Sequence, residues 1–280
     1  MLFFLLILLA VGLLLCIIYF ARAYDDRLVS KSYVNIIVQT SPFFDRMSTY
    51  DLYARKATSK EEYKNMYVES VRAFSKNEIH EINTLLEKVD CFTIYCYKLH
   101  AIPWKLAKID TSIEQGFPHT LGDVIFLSDE FFHLNKNNKI SILIHEKIHI
   151  FQRLYPNNTE RLIIDYWNFR KIKFMQDEYL ARNNPDINEY IYGKDGWYIV
   201  QVYSSHTPSS ILHSTPVVIR DDTMYDLHNI DIGITDDVSQ AEHPYEVMGS
   251  YLPKILMNEV SDKTHPFYVA TKKWLNDGNL

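Results

Sequence analysis

Five consecutive residues, His145-Glu146-Lys147-Ile148-His149, constrain this 280-residue chain more than any other feature. On a helix, positions four apart share a face, so both imidazoles can reach one metal ion. Glu146 sits beside them, turned about 100° round the helix axis. There its carboxylate can serve as a base towards a water at the metal without being a ligand. Two neutral imidazoles suit zinc, and a third protein ligand leaves a fourth position open. The five-residue pattern arises by chance in roughly 2% of chains of this length and composition, so its surroundings must decide. Ile140, Leu143, Ile144, Ile148 and Phe151 recur around it at helical spacing, which predicts an amphipathic, largely buried helix over about 138–154. Two histidines and a glutamate buried in that setting need partners, and a cation supplies one. The competing reading is a surface helix whose polar face carries these residues by accident.

Composition removes several classes of function. The chain is 47% hydrophobic and 23% charged, so it can bury a sizeable core. A net charge of -6 gives no basic field for nucleic acid. Cys91 and Cys96, two of only three cysteines, are spaced for neither a redox pair nor a thiolate zinc site. Neither GxGxxG nor GxxxxGK[ST] occurs, which argues against nucleotide enzymes of those two kinds.

Residues 2–20 form an unbroken apolar run. As a helix the run extends roughly 28 Å, enough to cross a hydrocarbon core. Ala21-Arg22-Ala23 offers a signal-peptidase site, but no basic residue precedes the run and the run is long for a signal peptide. The favoured expectation is therefore an uncleaved single-pass membrane anchor. Arg22, Arg27 and Lys31 follow it, which places the remainder on the cytoplasmic side. The sequon Asn157-Asn158-Thr159 points weakly the other way.

Beyond the anchor, residues 21–58 read as a juxtamembrane segment with a strand at 33–38, and 59–280 as one folded domain. Ser59 followed by Glu61 and Glu62 marks a helix start. Further helices are predicted at 77–89, 138–154 and 158–175, after Pro244, and near 264–276. Strands are predicted at 104–109, 124–127, 197–203 and 216–219. The pattern is α+β with a short, mostly antiparallel sheet.

The 145–149 helix resembles the active-site helix of zincin metallopeptidases. Gly116 to Leu127, with its Pro118-His119-Thr120, Gly122-Asp123, Ile125 and Leu127, resembles the strand that zincins lay along the substrate cleft. An edge strand there could pair with an extended peptide, with His119, Gly122 and Val124 as substrate-binding candidates. Together with Gln152 and His243-Pro244-Tyr245-Glu246, these motifs are also similar to poorly characterised HExxH proteins of large DNA viruses, over about residues 100–260. The extended metzincin pattern is absent after His149. The third ligand must come from farther on, and Glu246 is the first candidate. Pro244 opens a helix, Glu246 lies in its first turn, and Gly249 is small enough to let that helix approach closely. This resembles the gluzincin arrangement. Glu242 and His243 are the alternates, and Glu246 could instead merely complement its helix N-terminus.

The reading is then a membrane-anchored zinc metallopeptidase acting on a peptide or protein substrate, with one zinc ion held by His145, His149 and Glu246. Glu146 moves the proton. His206, His213, Tyr203 and Tyr245, with Tyr251, are candidates to support the oxyanion. His119 lies near the cleft or serves the fold. The rival readings are a zinc-stabilised structural or binding protein without proteolytic activity, and a zinc hydrolase of non-peptide substrates.

Overall fold

The computed structural model describes residues 27–174, 180–221, 223–226, 234–235, 237–238 and 240–280. Helix α1 (Lys31–Thr40) is followed by the short α2 (Pro42–Arg46) and α3 (Thr49–Ala54), then α4 (Lys60–Glu69). Next come β1 (Val71–Arg72), α5 (Lys76–Thr93), α6 (Tyr97–His100), β2 (Leu106–Ile109), β3 (His119–Leu121), β4 (Val124–Leu127) and α7 (Asp129–His133). The motif helix is α8 (Lys136–Leu154), and α9 (Pro156–Glu160) follows it. Strands β5 (Arg170–Phe174), β6 (Tyr190–Lys194), β7 (Trp197–Tyr203), β8 (Ser214–Arg220) and β9 (Thr223–Asp226) precede α10 (Pro244–Leu256) and α11 (Pro266–Asn276).

The class is α+β, with two sheets where the sequence suggested one short, mostly antiparallel sheet. The first sheet is mixed, in the order β1-β2-β4-β3, with β2 and β4 parallel and Leu106 opposite Ile125. The second is an antiparallel meander, β5 to β9 in sequence order. Its longest pairing runs from Trp197 opposite Arg220 to Tyr203 opposite Ser214. The first sheet is covered on both faces, and its strands show why they read as continuous apolar runs. Leu106, Ile125 and Leu127 point into the large core shared with α5, α8 and α10, whereas Ala107, Ile109, Val124 and Phe126 point into the core beneath α1, α2 and α4. Successive side chains alternate between the two cores.

Helix α8 is buried along most of its length and packs on α5 and α10. The Asn135 side chain accepts a hydrogen bond from the Asn138 amide and so caps its start. Helix α10 opens with Pro244 behind the capping residue His243, as the sequence predicts.

Three expectations are corrected. Residues 33–38 form a helix and not a strand: Ser30 caps α1 by accepting from the Tyr33 amide, and Val34 and Val38, one turn apart, carry the burial. The β-branched run satisfies strand propensity, but capping and tertiary packing outweigh it. The single helix at 158–175 is broken into α9, a π-helical turn over Arg161–Tyr166, and β5. Asn168 adopts φ +61, a left-handed conformation that ends the helical path. The strand at 124–127 is not the sheet edge: β4 lies inside, between β2 and β3, and β3 is the edge. The anchor expected at residues 2–20 lies outside the described residues. Among the described residues no helix is long and apolar enough to cross a membrane.

Candidate metal centre

His145 and His149 project from one face of α8 with their Nε2 atoms 2.8 Å apart. Glu246, in the first turn of α10, brings Oε2 to 3.4 Å from His145 Nε2 and 3.6 Å from His149 Nε2. The two helices come this close because position 249 is glycine. A Cβ there would stand 2.9 Å from His145 Cε1.

Neighbouring groups hold each donor in place. His149 Nδ1 donates to Gln152 Oε1 at 2.8 Å, which turns Nε2 towards His145 and Glu246. Gln152 in turn donates to the Tyr245 carbonyl, tying α8 to α10 one residue before Glu246. Asn184 Nδ2 donates to Glu246 Oε1 at 2.8 Å and leaves Oε2 directed at the histidines. Glu146 is buried, and its Oε2 has no hydrogen-bond partner among the described residues. Asp186 completes a second cluster with Glu146 and His149, its donor atoms within 4.8 Å of theirs.

The electrostatics show an excess of negative charge. Burial lowers the His149 imidazole, but the Asp186 and Glu246 carboxylates outweigh it and raise the ring to about 9. Burial, then the Asp186 charge, pushes the Glu146 carboxyl well above the usual carboxylate range. Burial also raises Glu246, yet His149 and His145 hold it well below that range. Three buried carboxylates around two imidazoles suit a divalent cation. The spacing suits one too. Four ligands at about 2.0–2.1 Å in a tetrahedron are about 3.4 Å from one another; Glu246 Oε2 stands 3.4 and 3.6 Å from the two imidazole nitrogens, which themselves lie closer, at 2.8 Å. One carboxylate and two imidazoles match zinc in donor type as well.

The remaining sequence candidates lie in varied places. His243 is excluded as a ligand, because Nε2 donates to the Tyr190 carbonyl and Nδ1 accepts from the Tyr245 amide. Glu242 lines the cavity above the centre but belongs to neither metal-capable cluster. His119 lines that cavity with both nitrogens engaged, by the Tyr67 hydroxyl and the Phe117 carbonyl. Gly122 makes the β3–β4 turn at φ +57, and Val124 is fully buried in β4, so Val124 cannot meet substrate. Tyr203 donates to Asp51 in a buried network and is not at the centre. The Tyr245 ring packs against Tyr192 and His243. The His206 ring lies tilted against Tyr50, and His213 is exposed. Tyr251 is buried, with no partner for its hydroxyl among the described residues.

Sequence reasoning missed the segment 182–187, which crosses the free edge of the first sheet. Asp186 accepts from the Thr120 amide at 2.9 Å, and Arg153 donates to the Thr120 carbonyl at 3.0 Å. The backbone groups that an extended peptide would need on β3 are therefore occupied at Thr120. The segment is anchored by Arg55, which donates to the Asn183 carbonyl and grips Glu114 through two hydrogen bonds. Asn183-Asn184-Pro185-Asp186 reads locally as turn chemistry. Gln152, three residues past His149, was marked in the sequence through the motifs that carry the family resemblance.

In comparisons with known proteins, no family, no curated protein and no solved structure matches this chain.

Proposed function

We propose that the chain is a zinc-dependent peptidase of gluzincin-like architecture, with zinc held by His145, His149 and Glu246. The observation that carries the reading is the convergence of three donors from two helices beside a buried carboxyl that is not one of them. Zinc, when bound, supplies Lewis acidity that polarises a carbonyl and acidifies a water. Glu146 accepts the proton of the attacking water and delivers it to the leaving amine. Its buried setting keeps the carboxyl a weak acid, which suits a group that must both take and release a proton. Gln152 fixes the His149 tautomer, and Asn184 fixes which Glu246 oxygen faces the metal. Arg153 pairs with Asp186, 3.6 Å away, while Glu146 Oε2 has no hydrogen-bond partner among the described residues.

The test joins metal analysis of the purified protein to a peptide-library digest. One zinc per chain and cleavage by the wild type are expected. Glu146→Gln should retain zinc and lose cleavage. Stoichiometric zinc in a wild type that cleaves no peptide would establish a structural or non-peptide site instead.

A further inference from the structure

The cavity beside the metal centre, about 320 Å³, has one arginine in its lining, Arg182. Most of its other charged side chains have assigned partners. Glu114 is gripped by Arg55, Asp186 faces Arg153, and Glu246 faces the two histidines. Arg182 differs. Its backbone amide is fixed to the Gln201 carbonyl, so the residue is held at the cavity wall. Its charge acts on Glu242 and Glu114, but Nε is buried with no acceptor among the described residues. Glu242 lies on the same wall, near enough to feel its charge but with no salt bridge to it among the described residues. A buried donor without an acceptor is unfavourable, and a ligand that brings one relieves it. The guanidinium fork fits a planar carboxylate with two parallel hydrogen bonds. Phosphate suits the cavity less, because Glu146, Asp186 and Glu246 also line it and disfavour a dianion.

The same cavity has an apolar part. Phe117 and Leu212, 51% and 62% exposed, stand in its lining with Ile142 and Pro118. Exposed large apolar side chains beside a polar centre mark where a ligand's apolar group is taken up.

We propose that Arg182 determines specificity, taking a carboxylate of a peptide whose neighbouring apolar side chain lies against Phe117, Ile142 and Leu212. The carboxylate belongs either to the free C-terminus or to an acidic side chain. The proposal rests on the peptidase reading for the nature of the ligand, so binding is measured separately from cleavage.

The experiment uses zinc-loaded Glu146→Gln protein and calorimetry with two pairs of acetylated leucine-containing dipeptides. The first pair is a free acid and its amide. The second is an amidated peptide carrying glutamate and its glutamine counterpart. At least one acidic member should bind about tenfold more tightly than its neutral partner. Adding Arg182→Gln should bring that pair within about twofold, and Arg182→Lys should restore part of the difference. Preference in the first pair assigns the C-terminus, and preference in the second assigns a side chain. Equal binding within both pairs overturns the proposal. So does a preference that survives Arg182→Gln, which would place the carboxylate on the metal. An equal loss of acid and amide binding in both Arg182 variants would show a structural role and also overturn it. Failure of the wild type to cleave peptides would sink the peptidase reading while leaving these binding differences to be read.

Discussion

Replacing Gly249 with alanine adds one methyl group where α10 meets the His145 ring. The new Cβ would stand 2.9 Å from Cε1 and 3.1 Å from both ring nitrogens. Non-bonded carbon atoms settle at about 3.5–4.0 Å, so the conflict is about 0.6 Å or more. Two effects on stability oppose each other. Alanine favours a helix interior over glycine by about 1 kcal/mol. Overpacking a tight contact costs about 1–3 kcal/mol, which leaves a net loss of about 0–2 kcal/mol and a protein that still folds. The metal centre is less tolerant. Relief of the conflict by moving the ring shifts Nε2 by about half an ångström, whereas ligand distances are fixed to within about 0.2 Å. Zinc affinity should fall about 10–100-fold, the size of effect seen when support for a ligand is lost. Competition against a chromogenic zinc chelator measures it, with thermal unfolding of the same sample as the folding check. Ser250→Ala, one residue on, removes a hydroxyl bonded to the Val247 carbonyl and should leave affinity unchanged. A folded Gly249→Ala protein with wild-type zinc affinity would refute the claim that α10 presses on a metal ligand.

Three further outcomes are expected. Glu246→Ala should lower zinc affinity about 100-fold or more and Glu242→Ala less than about threefold, by the same titration; equal losses would reverse the ligand assignment. Burial raises the Glu114 carboxyl, but Arg55 outweighs burial and carries it down from 4.5 to about 2. That depressed value contributes about 3 kcal/mol of stability, present above pH 4.5 and lost as pH falls towards 2. Urea unfolding across that range should show a steeper acid loss in the wild type than in Glu114→Gln, and parallel slopes would contradict the account. If residues 2–20 anchor the protein, it should stay with membranes through carbonate washing, and a soluble form beginning at Tyr24 would establish a cleaved signal instead.

The sequence by itself determined what local spacing can encode. The interval from His145 to His149, with apolar positions recurring around it, specified a buried helix and placed two imidazoles on one face. Pro244 with Glu246 specified the start of α10, because a helix start depends on a handful of adjacent residues. Tertiary structure decided what depends on neighbours distant in the chain. Whether 33–38 became strand or helix turned on which cores would accept Val34 and Val38, and propensity carries no record of that. That Glu246 and not His243 faces the histidines follows from the Tyr190 carbonyl, which occupies His243 from 53 residues away. The hold of Asn184 and Asp186 on the centre arises because Arg55 and Glu114 pin a turn across the sheet edge. Such contacts leave no periodic trace in sequence, since each joins two residues whose separation along the chain is arbitrary and whose meeting is fixed only by the packed fold.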